Sequence, residues 1–296
     1  MRICFTRCAN LFFLFLLLIL SATSCEKFTG SQHIPAYITI DSCGLTTNLS
    51  TQGSASASIV DAWVYVDDQQ IGVFQLPARI PVLMEGIHAV SILPGIKVNG
   101  IAATRMSYPF FTPYEADIQL RELDTAALGV LQTTYLPTTD FLMIEAFEGI
   151  YIALDTTPRS SVAIVLTSPG SPMTFEGNHS GLIALDTAAT LFECVNDRDF
   201  IIPFAPVFLE MNFWADNAFQ VGVFLYGTTL IQQVPILNLN HTDGIWKKIY
   251  VDLTSTLNAF PGMQKFRIFF LARKETQLIQ GQIILDNLKI ITRSTK

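Results

Sequence analysis

Val207-Phe208-Leu209-Glu210-Met211-Asn212-Phe213-Trp214 sets an apolar residue at every second position from Val207, with Glu210 and Asn212 in between. Successive side chains of an extended chain point to opposite faces, so Val207, Leu209, Met211 and Phe213 share one side of a strand. The same period recurs in Val221, Val223 and Leu225, in Ile249, Val251 and Leu253, and in Phe266, Ile268, Phe270 and Ala272. Helical spacing is hard to find beyond residue 36, whereas short alternating runs bounded by Gly, Pro, Asn and Asp recur to the end. The chain is therefore predicted to be all-β. Only Asp124 to Leu128 and Ser255 to Ala259 suit a helical turn each.

Working outward from that stretch, Val60, Ala62, Val64 and Val66 alternate with Asp61, Trp63, Tyr65 and Asp67, and a turn follows at Asp67-Asp68-Gln69. Further strands are predicted over Ile71 to Phe74, Ile80 to Leu83 and Ile87 to Ile92, and Asn99-Gly100 is a hairpin dipeptide. Leu120 to Thr139 mixes charge with Gly129 and Pro137, which marks a domain boundary, although part of it is expected to pair as a strand. The predicted layout is two β-sandwich domains, residues 35–120 and 140–296, joined by a linker over 121–139. Half of the residues are apolar and 15% are charged, enough to build a core and to argue against disorder.

The amino terminus carries Arg2 and Arg7, then the apolar run Leu11 to Leu20, then the small residues Ser21 to Ser24 before Cys25. This is the layout of a secretory signal, residues 1–24, and the run is about half the length that a membrane-spanning helix needs. The small residues ending on a cysteine resemble a lipobox, with Ala22 where that motif usually has Leu; relaxed versions are similar to those of Bacteroidetes lipoproteins. The resemblance implies a diacylglycerol on Cys25, with palmitate-type acyl chains holding the protein on a membrane at about 0.8 kcal/mol per buried methylene. Residues 25–34 would then be a short polar tether, and the location the cell envelope, on either face of the outer membrane. An ordinary signal cut near Ser24, with Cys25 incidental, is the alternative. Cys4 and Cys8 leave with the leader, so Cys43 and Cys194 remain, either as a pair or as two buried thiols. The net charge of -7 becomes more negative when the arginines of the leader are removed, which argues against nucleic acid as a partner.

Val64-Tyr65-Val66-Asp67, Ile71-Gly72 and Gly86-Ile87-His88-Ala89-Val90 resemble the small PEGA-type surface domains, a likeness of about forty residues that bears on fold alone. In the second half, Phe147-Glu148-Gly149, Ser180-Gly181, the run Trp246 to Leu253 and Leu285-Asp286-Asn287-Leu288-Lys289-Ile290 resemble carbohydrate-binding modules and related jelly rolls of the galactose-binding type. That resemblance implies a jelly roll and, at Glu148 and Asp286, a structural calcium. Calcium takes six or more oxygens, so two carboxylates permit the ion without requiring it.

Opposite the apolar faces lie Phe208, Glu210, Asn212 and Trp214, then Gln220, Phe224 and Tyr226, then Trp246, Lys248, Tyr250 and Asp252. Aromatic rings among polar groups suit a sugar, whose C–H faces stack on rings while its hydroxyls take polar partners, and Trp214, Phe224, Tyr226 and Trp246 are the candidate ligand-binding residues. Packing against loops or against the first domain is the plainer alternative. None of His33, His88, His179 and His241 has a partner at metal spacing, and no nucleophile elbow or phosphate loop occurs. Glu145 and Glu148 lie three apart, on opposite faces if both are in a strand, which disfavours a glycosidase pair. The sequence thus points to a non-enzymatic envelope lipoprotein that binds a glycan or surface macromolecule. A structural or assembly subunit of a surface or secretion apparatus is the alternative, and a polysaccharide hydrolase comes third.

Overall fold

The first described strand already shows the long-range character of the fold: β1 (Ala36–Thr46) runs parallel to a segment almost ninety residues away. The computed structural model describes residues 34–294. The signal segment 1–24, Cys25, His33 and all but the end of the 25–34 tether lie outside the described residues.

In the first domain, β2 (Asp61–Val66) turns through Asp67 and Asp68, both at positive φ, into β3 (Gln69–Gln75). Then come β4 (Ala78–Val82), β5 (Gly86–Lys97), β6 (Arg105–Ser107), β7 (Tyr114–Leu120) and β8 (Thr125–Thr134). Two sheets form: β4-β1-β8, and β3-β2-β5, where β6 and β7 share the far edge of β5. Ala62, Val64 and Val66 face Ile38, Ile40, Ile80 and Val90 in a common core, as their alternation requires. Asp61, on the opposite face, is nonetheless buried and ion-paired to Arg105. The expected helical turn at Asp124 to Leu128 is a correction: from Thr125 onward these residues belong to β8, because parallel pairing with β1 outweighs a weak local preference. The first domain accordingly extends through most of the 121–139 segment. The short helix α1 (Leu49–Gln52), capped by Asn48, follows β1.

The second domain contains β9 (Thr139–Glu145), β10 (Leu154–Thr156), β11 (Val165–Leu166), β12 (Gly181–Leu185), β13 (Leu191–Asn196), β14 (Phe200–Ile201), β15 (Val207–Ala215), β16 (Phe219–Tyr226), β17 (Ile231–Leu239), β18 (Lys247–Asp252), β19 (Lys265–Arg273) and β20 (Gly281–Arg293). Between β18 and β19 lies α2 (Thr254–Asn258), the second expected helical turn. One sheet runs β11-β12-β20-β15-β18 with β9 also on β20; the other runs β10-β13-β19-β16-β17 with β14 also on β19. Val207, Leu209, Met211 and Phe213 from the first sheet meet Val221, Val223, Phe266, Ile268 and Phe270 from the second. The chain is all-β, two β-sandwich domains of which the second is a jelly roll. Its opening strand β9 and its closing strand β20 are neighbours, joined from Leu288↔Glu145 to Arg293↔Thr139. Cys43 and Cys194 fall in different domains and are free thiols; burial pushes the Cys43 thiol up to about 11 and that of Cys194 higher still. Among the described residues no helix is long and apolar enough to cross a membrane.

The outer face of the β15 sheet is covered by the first domain. Tyr108, Phe110, Phe208 and Tyr250 pack ring edge to ring face, Tyr108 lying 4.9 Å from Tyr250 and 5.4 Å from Phe208 between centroids. Beside this aromatic cluster, Glu210 is fully buried. It accepts hydrogen bonds from Tyr108 Oη at 2.9 Å and Tyr135 Oη at 2.9 Å, and pairs with Lys248 Nζ at 3.3 Å. Lys289, also fully buried, donates to the Ser54 carbonyl at 2.6 Å and to Tyr135 Oη at 3.1 Å. Burial pushes its ammonium down to about 8 despite the nearby Glu210. The two domains are thus joined by a buried aromatic patch and a hydrogen-bonded ionic centre.

Candidate functional site

The hairpin dipeptide Asn99-Gly100 has both residues at positive φ, the geometry of a tight two-residue turn. Its tip reaches across to the jelly roll and joins the exposed edge of β18: Asn99 N–H donates to the Tyr250 carbonyl at 2.8 Å, and Asn99 Oδ1 accepts from Asp252 N–H at 2.9 Å. Ser58 N–H donates to Tyr250 Oη at 2.9 Å. These bonds close one wall of a cleft between the domains.

The cleft has a volume of about 490 Å³. Lys97, Asn99 and Gly100 line it from the first domain; Asn238 and Asn240 near the end of β17, and His241, Trp246 and Lys247 around the start of β18, line it from the second. Trp246 is half-buried, braced by Phe175 at 5.1 Å between centroids. Asn238 Oδ1 accepts from Gln220 Nε2 at 2.9 Å, which leaves its amide N–H groups free to face a ligand. His241 Nε2 lies 2.9 Å from Glu275 Oε1.

Of the four aromatic candidates, the structure brings Trp246 into this cleft. Trp214 lies on β15, one residue beyond the Phe213–Lys247 pair that ends the β15–β18 register, and it is not part of the cleft wall. Phe224 and Tyr226 are on β16 in the other sheet, where Phe224 packs on Phe269 at 5.3 Å and Arg267 lies over the Tyr226 ring at 5.9 Å. The four therefore do not line one groove, because β15 and β16 belong to opposite sheets of the sandwich.

Glu148 and Asp286 do not fit a calcium ion. Glu148 accepts from Asn178 N–H at 2.7 Å, Asn178 Nδ2 at 3.0 Å and His179 N–H at 2.9 Å; Asp286 accepts from Ser180 Oγ at 2.6 Å and Asn287 N–H at 2.7 Å. These surroundings supply donors to an anion, whereas calcium needs further oxygens. Among the described residues no group of three or more acidic, His or Cys side chains is placed to hold a metal. Glu145 also serves the backbone, accepting from the N–H groups of Phe147 and Ala153, both at 2.6 Å.

Burial pushes the Asp286 carboxyl up to about 6, its hydrogen bonds notwithstanding. A folded-state value above the unfolded one means that folding takes up a proton between them, so this group adds stability as pH falls from about 6 toward 4. Asp286→Asn keeps the acceptor for Asn287 N–H and removes the buried charge. It is expected to hold or raise stability near neutral pH and to flatten the dependence in that window. Urea midpoints at about pH 7, 5 and 4 check this; a midpoint for the variant far below wild type near neutrality would show that the carboxylate itself is required.

The contributions of Lys97 and Asn99 were not foreseeable from local pattern, since both come from the other domain. The available signal was the Asn99-Gly100 turn, which had to project from the sheet somewhere.

Comparison with known proteins finds no family model and no curated protein that matches the chain. Solved structures similar to it include carbohydrate-binding modules of the β-sandwich superfamily described for promiscuous specificity, at 11% identity and a TM-score of 0.35 over 79% of this chain and 85% of that one. A xylan-binding domain of module family 22 gives 11% identity and a TM-score of 0.36 over 53% of this chain and 97% of that one. A cleaved adhesin domain of Lys-gingipain from Porphyromonas gingivalis gives 16% and 0.37 over 52% and 98%. Scores this low carry no shared chemistry, and the architecture described above rests on this chain's own strands.

Proposed function

We propose that the chain is a non-enzymatic cell-envelope lipoprotein, exported by residues 1–24, held at the outer membrane through Cys25, and binding a glycan in the cleft between its domains. The observation that carries the binding role is Trp246 standing in a polar cleft beside Asn99, Asn238 and Asn240. An indole face takes the C–H side of a pyranose; Asn238, whose oxygen is held by Gln220, offers N–H donors to sugar hydroxyls, and Asn240 offers a donor and an acceptor together. The anchor rests on the apolar run from Leu11 to Leu20 and the small residues before Cys25.

A second reading, a subunit of a surface apparatus, is favoured by the exposed apolar Ile201 and Phe204 beside a shallow groove that includes Phe260 and Met263. A glycan array with the intact protein separates the two. Binding that falls about tenfold or more on Trp246→Ala supports the glycan role, and absence of binding by the wild type overturns it. In cells that express the full chain, labelled palmitate should enter the protein and be lost on Cys25→Ala; label retained by that variant would remove the anchor at Cys25.

A further inference from the structure

The cleft carries a charge opposite to that of the chain around it. The protein has 25 acidic residues against 18 basic ones, yet the cleft wall presents Lys97, Lys247, Lys248 and His241 and no carboxylate. Carboxylates that adjoin the wall are bonded within the fold: Asp252, whose N–H meets Asn99, accepts from Thr254 N–H at 2.8 Å. Glu210 is held by Lys248, Tyr108 and Tyr135 behind the wall. Glu275 takes His241 Nε2 and Ala218 N–H, both at 2.9 Å, and with Asp243 lines an adjoining hollow that shares Asn240 and His241 with the cleft.

Lys248 has a side chain only 4% exposed and its charge is balanced by Glu210, so it adds neither contact nor net field to the cleft. Lys97 and Lys247 differ from it. Lys97 is half-buried at the end of β5 and Lys247 is exposed at the start of β18, on opposite banks of the cleft, and neither forms an ion pair within the described residues. Low-dielectric walls on either side concentrate the field of such cations. A neutral ligand filling the cleft would strip water from two ammonium groups without replacing their partners, whereas an anionic one would pair them.

We propose that the cleft selects an acidic saccharide, with a pyranose face on Trp246 and a sugar carboxylate or sulfate ester held between Lys97 and Lys247. This rests on the glycan reading above and narrows it. Calorimetric titration of the intact protein with oligogalacturonate, with a sulfated galacto-oligosaccharide and with the uncharged galacto-oligosaccharide tests it. Binding of a charged probe is expected, weakening as salt rises, and Lys97→Met and Lys247→Met, which keep the apolar stem, should each weaken it about tenfold. The stronger of the two charged probes identifies carboxylate or sulfate as the recognised group. Equal binding of the uncharged oligosaccharide, undiminished in both lysine variants, would overturn the acidic selectivity and leave the glycan reading standing. Absence of binding by all three probes, with a glycan array also blank, would overturn both.

Discussion

Glu210→Ala is expected to lower the stability of the folded chain by about 3–5 kcal/mol, the range for removing one partner of a buried ion pair. The side chain is fully buried, accepts from the hydroxyls of Tyr108 and Tyr135, and lies at ion-pair distance from the Lys248 ammonium. Deleting it leaves the buried Lys248 without its counter-charge, while both tyrosines lose an acceptor they cannot replace among Phe110, Phe208 and the other rings. Lys289 suffers less, because it keeps the Ser54 carbonyl. Chemical denaturation of the variant measures the loss, and a midpoint indistinguishable from wild type would mean that water enters the interface freely. Glu210→Met combined with Lys248→Met should recover much of the loss, since an apolar pair of similar volume needs no counter-charge. Recovery of that kind would separate the cost of a stranded charge from any special role of the carboxylate.

Gly222→Ala is expected to cost about 1–3 kcal/mol or more, through space alone. A Cβ there would lie 2.4 Å from the Val234 carbonyl oxygen and 2.5 Å from the Phe269 ring. Phe269 is fully buried, and Val234 is backbone in β17, so the ring cannot swing clear and the strand must move. The register of β16 against β17 already shifts between Val221 and Gly222, where Pro235 stands opposite the glycine, and β17 is the edge strand that gives way. Hydrogen exchange should therefore quicken first in β17, whose Leu237 and Asn238 line the cleft. Gly149→Ala is the control: nothing outside its chain neighbours lies nearer than 3.4 Å to its added Cβ. A Gly222→Ala protein as stable as Gly149→Ala would refute the steric reading.

The strands of the jelly roll were legible because one side of each meets a common core, and a period of two survives in the order of residues. Val207, Leu209, Met211 and Phe213 show it directly. What covers the other side leaves no period of its own. Phe208 and Glu210 alternate with the core residues whether the outer face meets water, sugar or another domain, so their burial under Tyr108 and Phe110 emerges only from the tertiary structure. The same limit applies to residues 124–128, whose strand partner β1 is far away in the chain. It also applies to the cleft: Trp246 could be singled out as an aromatic among polar residues, but Lys97 and Asn99 are brought to it by a turn that belongs to the first domain. The carboxylates at 148 and 286 were recognisable as anchors of some kind, and only their donors distinguish a hydrogen-bonded anion from a cation ligand.

The adjacency of β9 and β20 has a consequence for the order of events while the chain is being made. β20 lies inside its sheet, with β15 along one side and β9 and β12 along the other, and it carries Lys289 and Ile290 into two different buried regions. Until residues 281–293 are available to pair, β9, β12 and β15 lack their shared neighbour and the jelly roll stays open. A chain that lacks that strand can still pair β13, β19, β16 and β17, but it leaves β9, β12 and one edge of β15 open, a state exposed to aggregation and to proteases.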